Sequence, residues 1–504
     1  MHRQVFRNVF LNVTTFLFNV VTGLYLTPFL IKYLGLEVYG ILPLALFLTF
    51  YIGVITQALT ASVNRFFIAN LQTNNIKEAN VVFNTAFCII VTYSVLQFAL
   101  LYYPIQNIDQ YFSIPTHSRD DARRLFESVL LSFSLALLTS IFSVSLFALN
   151  RLDLIQCVQL IKIIIKFITI ILFFEHHCIG IQFVGIAMIL SELIALILTI
   201  CLWRKLTPEI NLKLFYFSKK KVGELSKFAM WLIIDQVGYV LFIKMDLLLV
   251  NKFFGAKESG RYSIATQFSD LLRSFAGLMA GVLAPVIMIL HAKNELERIV
   301  TVTKTFVMIL SLTIAIPISI ICVFSQELIH FWLGQDINIQ TLIWIVTFPL
   351  IINLGVLPLF SINVAFKKVK LPSILNIVLA LVGVFVSIIL IRNTELGLLA
   401  VAAGFSFSLT LKNAVFIPIY AALNLRIDKL TFLTVHVRTI LFTFFYVCFL
   451  ILVKSKLSSN LYGFLAELTV LIIFGFIISI FFYSRDERKY ITNTLSDKLK
   501  AKVK

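Results

Sequence analysis

Apolar runs long enough to cross a bilayer recur along the whole chain, and this recurrence decides the fold class before any single residue does. A helix rises about 1.5 Å per residue, so about 20 residues span a hydrocarbon core of about 30 Å. Fourteen segments fit: 9–31, 41–61, 81–101, 129–148, 158–174, 183–203, 228–251, 263–290, 304–324, 341–360, 373–391, 396–421, 437–453 and 462–483. The fifth is short and carries Lys162 and Lys166. Only 13% of the residues are charged, about half the share of a soluble domain. A water-exposed surface could not be built from such a composition. The expected fold class is all-α integral membrane, with about fourteen transmembrane helices. The first run is too long for a signal-peptide core and lacks a small-residue cleavage site, so it is expected to be retained.

The net charge of +18 does not point to nucleic acid, because the basic residues form short clusters between the apolar runs. With the N-terminus placed in the cytoplasm, 28 of the 43 Lys and Arg fall in cytoplasmic segments or at their helix ends, against 10 on the opposite side. The positive-inside rule then puts both termini in the cytoplasm. Two basic cytoplasmic stretches stand out, 204–227 and 484–504. The first interleaves Leu214, Phe215, Tyr216 and Phe217 with Lys213 and Lys219 to Lys221, a composition that can lie on an anionic leaflet or serve only as a topology signal. Cys88, Cys157, Cys178, Cys201, Cys322 and Cys448 show no CxxC spacing and read as free thiols in apolar surroundings. His176 and His177 stand at an external turn; no metal centre, cofactor or catalytic constellation is expected. No GxxxxGK[ST] run is present to supply a nucleotide site.

Shifting the chain on itself by 220 residues brings out a repeat. Residues 33–40 (YLGLEVYG) lie over 253–260 (FFGAKESG), so Gly35 meets Gly255 and Gly40 meets Gly260. The polar break 71–80 lies over 291–300, with Asn74 over Asn294. Paired glycines suit tight turns that need positive φ. Each repeat holds six helices, an even number, so the halves share one orientation, with a site expected at their interface. The expected organisation is a six-helix bundle at 1–203, a basic linker at 204–227, a second six-helix bundle at 228–421, and two further helices with a basic tail at 422–504.

Charges at membrane depth are costly and default to functional candidates. Helix seven carries Asp235, Lys244 and Asp246; helix eight carries Asp270 and Arg273 at i, i+3 spacing. At 100° per residue Asp235 and Asp246 share a stripe, while Lys244 points away from it. Lys162 and Lys166 share a face of helix five, Glu192 lies within helix six and Lys412 within helix twelve. The shift of 220 puts Glu192 over Lys412, so equivalent positions carry opposite charge. Arg65 ends helix two, where it can reach the interface. The charges on helices seven and eight fit either packing ion pairs or a path for an anionic substrate and a coupling ion. Pro285, Pro317, Pro349, Pro358 and Pro418 fall inside expected helices and permit bends.

Residues 28–40 (PFLIKYLGLEVYG) resemble the first interhelical segment of polysaccharide flippases. Residues 61–65 (ASVNR), 75–79 (NIKEA) and 83–85 (FNT) are similar to their passage from helix two to helix three. Residues 246–255 (DLLLVNKFFG) resemble the start of their second half. These are the Wzx-type lipid-linked oligosaccharide (O-antigen) flippases of the multidrug/oligosaccharidyl-lipid/polysaccharide exporter superfamily. The resemblance implies a V-shaped pair of bundles and a transporter, not an enzyme. It further implies translocation of undecaprenyl-diphosphate-linked sugar units across a bacterial inner membrane. Implied partners are the lipid-linked oligosaccharide, membrane lipids, a polysaccharide polymerase and a chain-length regulator. A diphosphate crossing the membrane needs cations, so Lys162, Lys166, Lys244, Arg273, Lys412 and Arg65 are the substrate candidates. Asp235, Asp246, Asp270 and Glu192 are candidates for ion coupling or for balancing those cations. Drug or cation antiporters and the peptidoglycan-precursor flippase are neighbouring readings. A membrane glycosyltransferase or polymerase fits less well, because no external loop is long enough to form a catalytic domain.

Overall fold

A computed structural model describes residues 2–281, 283–455, 460–485, 487–489 and 492. All regular elements among them are helical. Hydrocarbon offers backbone groups no hydrogen-bond partner, and a helix satisfies them within its own segment. The chain divides into two compact units, Met1–Arg261 and Tyr262–Lys504.

The first unit holds α1 (His2–Tyr39), α2 (Ile41–Gln72), α3 (Ile76–Gln106), the short α4 (Ile108–Tyr111), α5 (Arg119–Ala148), α6 (Leu152–Glu175) and α7 (Ile181–Leu206). It also takes the first part of α8 (Lys219–Gly281), whose helical course breaks at Gly255. The second unit continues with α9 (Leu283–Ala292), α10 (Leu296–Val323), α11 (Ser325–Leu333), α12 (Gln340–Thr347), α13 (Leu350–Gly355) and α14 (Leu357–Ala365). It ends with α15 (Lys370–Asn393), α16 (Leu398–Thr410), a π-helical turn at Leu411–Phe416, α17 (Ile417–Leu425), α18 (Leu433–Lys454) and α19 (Leu461–Ser479). Among the described residues 11 helices are long and apolar enough to cross a membrane, or up to 12 if one bent pair is a single span. The expected fourteen exceed that number. The segment Ile243–His291 enters it once although it turns at Gly255, and α2 lies outside it.

The backbone carries the 220-residue repeat. Gly35 and Gly255 both take positive φ (76° and 85°), as do Asn74 and Asn294 (55° and 57°) and His177 and Gly397 (62° and 56°). Gly40 and Gly260 serve differently from the turn role expected of them. A Cβ on Gly40 would strike the Ala256 carbonyl oxygen, and a Cβ on Gly260 would lie 2.6 Å from the Leu36 carbonyl oxygen. Leu36 and Ala256 are themselves repeat equivalents. Two related four-residue steps therefore cross with each glycine against the other's carbonyl, and Ala256–Gly260 supplies a small-xxx-small step of the kind that allows close helix contact.

In the first unit α5 is the most buried helix; Ser132, Ser134, Thr139 and Ser145 are all buried on it. Gly185 of α7 packs so closely on Ser128 that a Cβ would lie 2.6 Å from the serine's own Cβ. In the second unit α10 is central: Ile314, Ile316 and Ile318 are fully buried, and α13, α18 and α19 pack around it. The expected span 341–360 is not one straight helix. Pro349 and Pro358 interrupt its hydrogen-bond ladder, and it breaks into α12, α13 and α14 with a 40° bend before α14. Pro418 sits in the first turn of α17, directly after the π-turn.

The linker after α7 is held by side-chain amides. The Asn80 amide donates to the Glu209 carbonyl (3.1 Å) and accepts from the Asn211 N–H (2.7 Å). Asn84, one turn on, donates to the Asn211 carbonyl (2.8 Å) and accepts from the Lys213 N–H (2.7 Å). Thr85 then accepts from the Ser218 N–H (3.1 Å). The first residues after α19 are held too, while 493–504 of the expected basic tail lie outside the described residues. Glu487 and Ser484 exchange hydrogen bonds in a capping box, and Arg438 donates two bonds to the Glu487 carboxylate (2.7 and 2.8 Å).

Gly260→Ala should force the crossed segments apart and destabilise the protein by about 1–3 kcal/mol, read as a lower thermal unfolding temperature in detergent. Burial pushes the Glu487 carboxyl up, but Arg438 and the Ser484 N–H more than offset it and hold it below the usual carboxylate range. A depressed folded-state pKa stabilises at neutral pH and loses that effect as pH falls through the lowered value. Hydrogen exchange at Ser484 and Glu487 should therefore stay slow at neutral pH and accelerate only below the ordinary carboxylate range.

Candidate functional site

The charges within the spans were singled out for their cost, and α6 and α7 bring three of them together. Leu152–Glu175 presents Lys162 and Lys166 one turn apart, and Ile181–Leu206 presents Glu192. Lys162 Nζ lies 2.6 Å from Glu192 Oε1. Glu192 is buried at 8% exposure. A buried carboxylate without a partner would be costly, and Lys162 supplies that partner. Lys166 lies in the field of both groups and is half-buried. Among the described residues it makes no hydrogen bond or ion pair of its own. The trio thus carries one surplus positive charge on an ammonium with three donors, suited to an anionic oxygen.

The other candidates fall in both units. In the first, Lys244 Nζ stands 4.7 Å from the centre of the Phe50 ring, a cation–π contact. The Asp246 carboxylate accepts from the Leu247 N–H at 2.8 Å. Arg65 is exposed. The side chain of Asp235 lies outside the described residues, so the stripe expected on helix seven has only Asp246 placed. In the second unit Asp270 and Arg273 are both half-buried, and their i, i+3 spacing does not close into an ion pair. Lys412 is buried within the π-turn, with its Nζ 5.3 Å from the centre of the Phe360 ring. Asn353, Thr410 and Asn413 bridge the neighbouring turns: Asn353 donates to Thr410 Oγ1 (3.2 Å) and Asn413 to the Asn353 carbonyl (3.1 Å). The turn expected at His176 and His177 leaves both exposed, and His177 takes the positive φ there.

Sequence reasoning passed over the fully buried Asp153. Arg7 (3.0 Å) and Arg151 (3.1 Å) pair with it, Gln4 donates to it (2.9 Å), and Asn8 accepts from its N–H (2.9 Å). This cluster ties the start of α1 to the start of α6. Its signal was faint: one carboxylate two residues after an arginine, at the edge of an apolar run.

Glu192→Gln should leave the ammoniums of Lys162 and Lys166 facing each other and lower stability by about 1–3 kcal/mol. The cost stays below the range for a fully buried pair because Lys162 keeps 26% of its side-chain surface. The double variant Lys162→Met/Glu192→Leu should recover most of that loss in the same thermal measurement.

Residues 34–338 match the family described as polysaccharide biosynthesis protein. The chain is 30% identical over 414 residues to the uncharacterized membrane protein EpsK of Bacillus subtilis (strain 168), covering 82% of each. It is similar to an inward-facing multidrug-resistance transporter of the MATE family, with TM-score 0.67 and 13% identity, covering 84% of this chain and 94% of that one. It is also similar to the lipid II flippase MurJ in an inward closed conformation, with TM-score 0.65 and 18% identity, covering 96% of this chain and 100% of that one. At such identities the two structures speak for the fold. The chain is a multi-pass membrane protein with the fold shared by MATE transporters and MurJ, and it belongs to the polysaccharide biosynthesis protein family.

Proposed function

We propose that the chain flips undecaprenyl-diphosphate-linked oligosaccharide repeat units across the bacterial inner membrane, by alternating access, for surface polysaccharide assembly. Family membership carries this reading. The extent of the fold supports it over an antiporter: likeness to the lipid II flippase covers 96% of the chain, against 84% for the multidrug transporter. Cations within the spans support it as well, since a diphosphate in a low-dielectric passage needs positive partners.

Lys166 is the first candidate to hold that anion, because Lys162 is already engaged with Glu192. Lys244, Arg273, Lys412 and Arg65 are further candidates along the path. Glu192 serves to balance Lys162, which leaves Asp235, Asp246 and Asp270 as candidates for a coupling ion. Both termini face the cytoplasm in this reading, and the partners are the lipid-linked unit, a polysaccharide polymerase and a chain-length regulator.

Deleting the gene should abolish surface polysaccharide while the lipid-linked unit accumulates on the cytoplasmic side. Normal display in a strain with no paralogue would sink the proposal. Lys166→Ala should lower export roughly 10-fold, the worth of one charge-assisted hydrogen bond, without lowering the amount of protein in the membrane. Full complementation by that variant would remove Lys166 from the substrate path.

A further inference from the structure

The linker between α7 and α8 combines three features: a fixed backbone, bare aromatic rings and an excess of exposed lysines. Its backbone is laced to α3 by Asn80, Asn84 and Thr85, all buried, at three successive points from Glu209 to Ser218. Trp203, at the end of α7, stacks on Phe83 at 5.3 Å and fixes the approach to the linker. Lys221 closes the far end by pairing with Glu224 (2.9 Å) and Glu78 (3.7 Å). Between these anchors stands a short 3-10 turn, Leu214–Tyr216.

What the anchors present is apolar and cationic. Phe215 is 93% exposed, Phe217 48% and Leu212 45%. Lys213, Lys219 and Lys220 are exposed around them and make no ion pair among the described residues. Lys221 balances one of the carboxylates Glu78 and Glu224, so the three exposed lysines outnumber the one that is left by two positive charges. Water disfavours bare phenyl rings, and a chain with only this arrangement in solution would gain nothing from holding them out.

The level of the segment identifies its partner. Helix α3 has 31 residues. At about 1.5 Å per residue it is about 46 Å long, about 16 Å longer than the hydrocarbon core. Divided between two ends, that leaves about 8 Å of overhang on each side. Asn80 and Asn84 lie about 6 and 12 Å from the start of the helix. The laced linker therefore runs along the boundary between lipid headgroups and acyl chains, where aromatic rings and lysine ammoniums partition together.

We propose that residues 212–220 form a leaflet-binding element: Phe215 and Phe217 enter the headgroup–acyl boundary, Lys213, Lys219 and Lys220 bind the phosphates of anionic glycerophospholipids, and the Asn80–Asn84 ladder holds the segment in that pose. The rings supply depth and the lysines supply preference for negative charge. Each lysine close to an anionic surface raises occupancy about fivefold. This function is separate from substrate translocation, because none of its residues is a candidate for the substrate path.

The test uses the full-length protein in vesicles, with Phe215→Trp as the reporter and the parent protein's tryptophan emission subtracted. One set of vesicles is phosphatidylcholine alone, and the other adds phosphatidylglycerol; in each, a fraction of the lipid carries bromine high on its acyl chains. The expected result is blue-shifted emission, quenched by the brominated lipid and more strongly in the vesicles containing phosphatidylglycerol. Lys213→Gln/Lys219→Gln/Lys220→Gln should remove the extra quenching, and Asn80→Ala/Asn84→Ala should reduce quenching in both vesicles. Water-like emission without quenching overturns the proposal, as does blue-shifted emission without quenching, which would seat the ring against protein. Equal quenching in both vesicles overturns the anionic preference, and unchanged quenching in the asparagine variant overturns the role of the ladder.

Discussion

At the crossing of Leu36–Gly40 with Ala256–Gly260, each glycine meets the backbone of the other segment, and the Leu36 side chain packs beside Gly260. In hydrocarbon such contacts hold helices together well, because close approach gives packing and weak hydrogen bonding that lipid tails cannot offer. The geometry also demands two glycines at equivalent places, and the 220-residue repeat supplies them. A side chain at either position would open the crossing. The turns before it depend on the same repeat, since Gly35 and Gly255 both adopt positive φ. One short glycine pattern thus fixes both the direction change and the contact that follows it.

The second recurring device is the primary amide. An asparagine side chain carries one donor and one acceptor group set like those of a peptide, so it can bind extended backbone as a neighbouring strand would. Asn80 and Asn84 do this to the linker. Asn251, buried on α8, does it to Ser113, accepting from its N–H (3.0 Å) and donating to its carbonyl (3.4 Å). Where the chain leaves helical form, its backbone groups still need partners. Asparagines on adjacent helices provide them, so irregular segments stay fixed without a sheet.

The parts of the fold legible in the sequence follow from period and shift. Apolar run length gave helices and their order, and the register of glycines and asparagines gave the repeat, which reappears as matched positive φ values at Asn74 and Asn294. What stayed hidden depends on contacts between distant segments. Nothing in residues 75–85 announces that Asn80 and Asn84 face a linker more than 120 positions away. The breaks at Pro349 and Pro358 are half legible: the prolines mark the places, but whether a proline kinks or ends a helix depends on neighbouring packing. For the candidate site, spacing gave the shared face of Lys162 and Lys166 but not the pairing of Lys162 with Glu192, which needs the packing of α6 on α7.

That pairing changes the meaning of the opposed charges at Glu192 and Lys412. A carboxylate and an ammonium at equivalent positions suggest two halves of opposite polarity, but their surroundings reverse the impression. Glu192 is cancelled by Lys162, and Lys166 stands one turn on from that pair, with no carboxylate left there among the described residues to balance its formal charge. Lys412 in the second unit is buried inside a π-turn, and its ammonium rests on the face of Phe360. Both places therefore carry a lysine within the spans, one beside an ion pair and one against a ring. The two halves of the repeat thus place a lysine at related depths through different residues and different contacts.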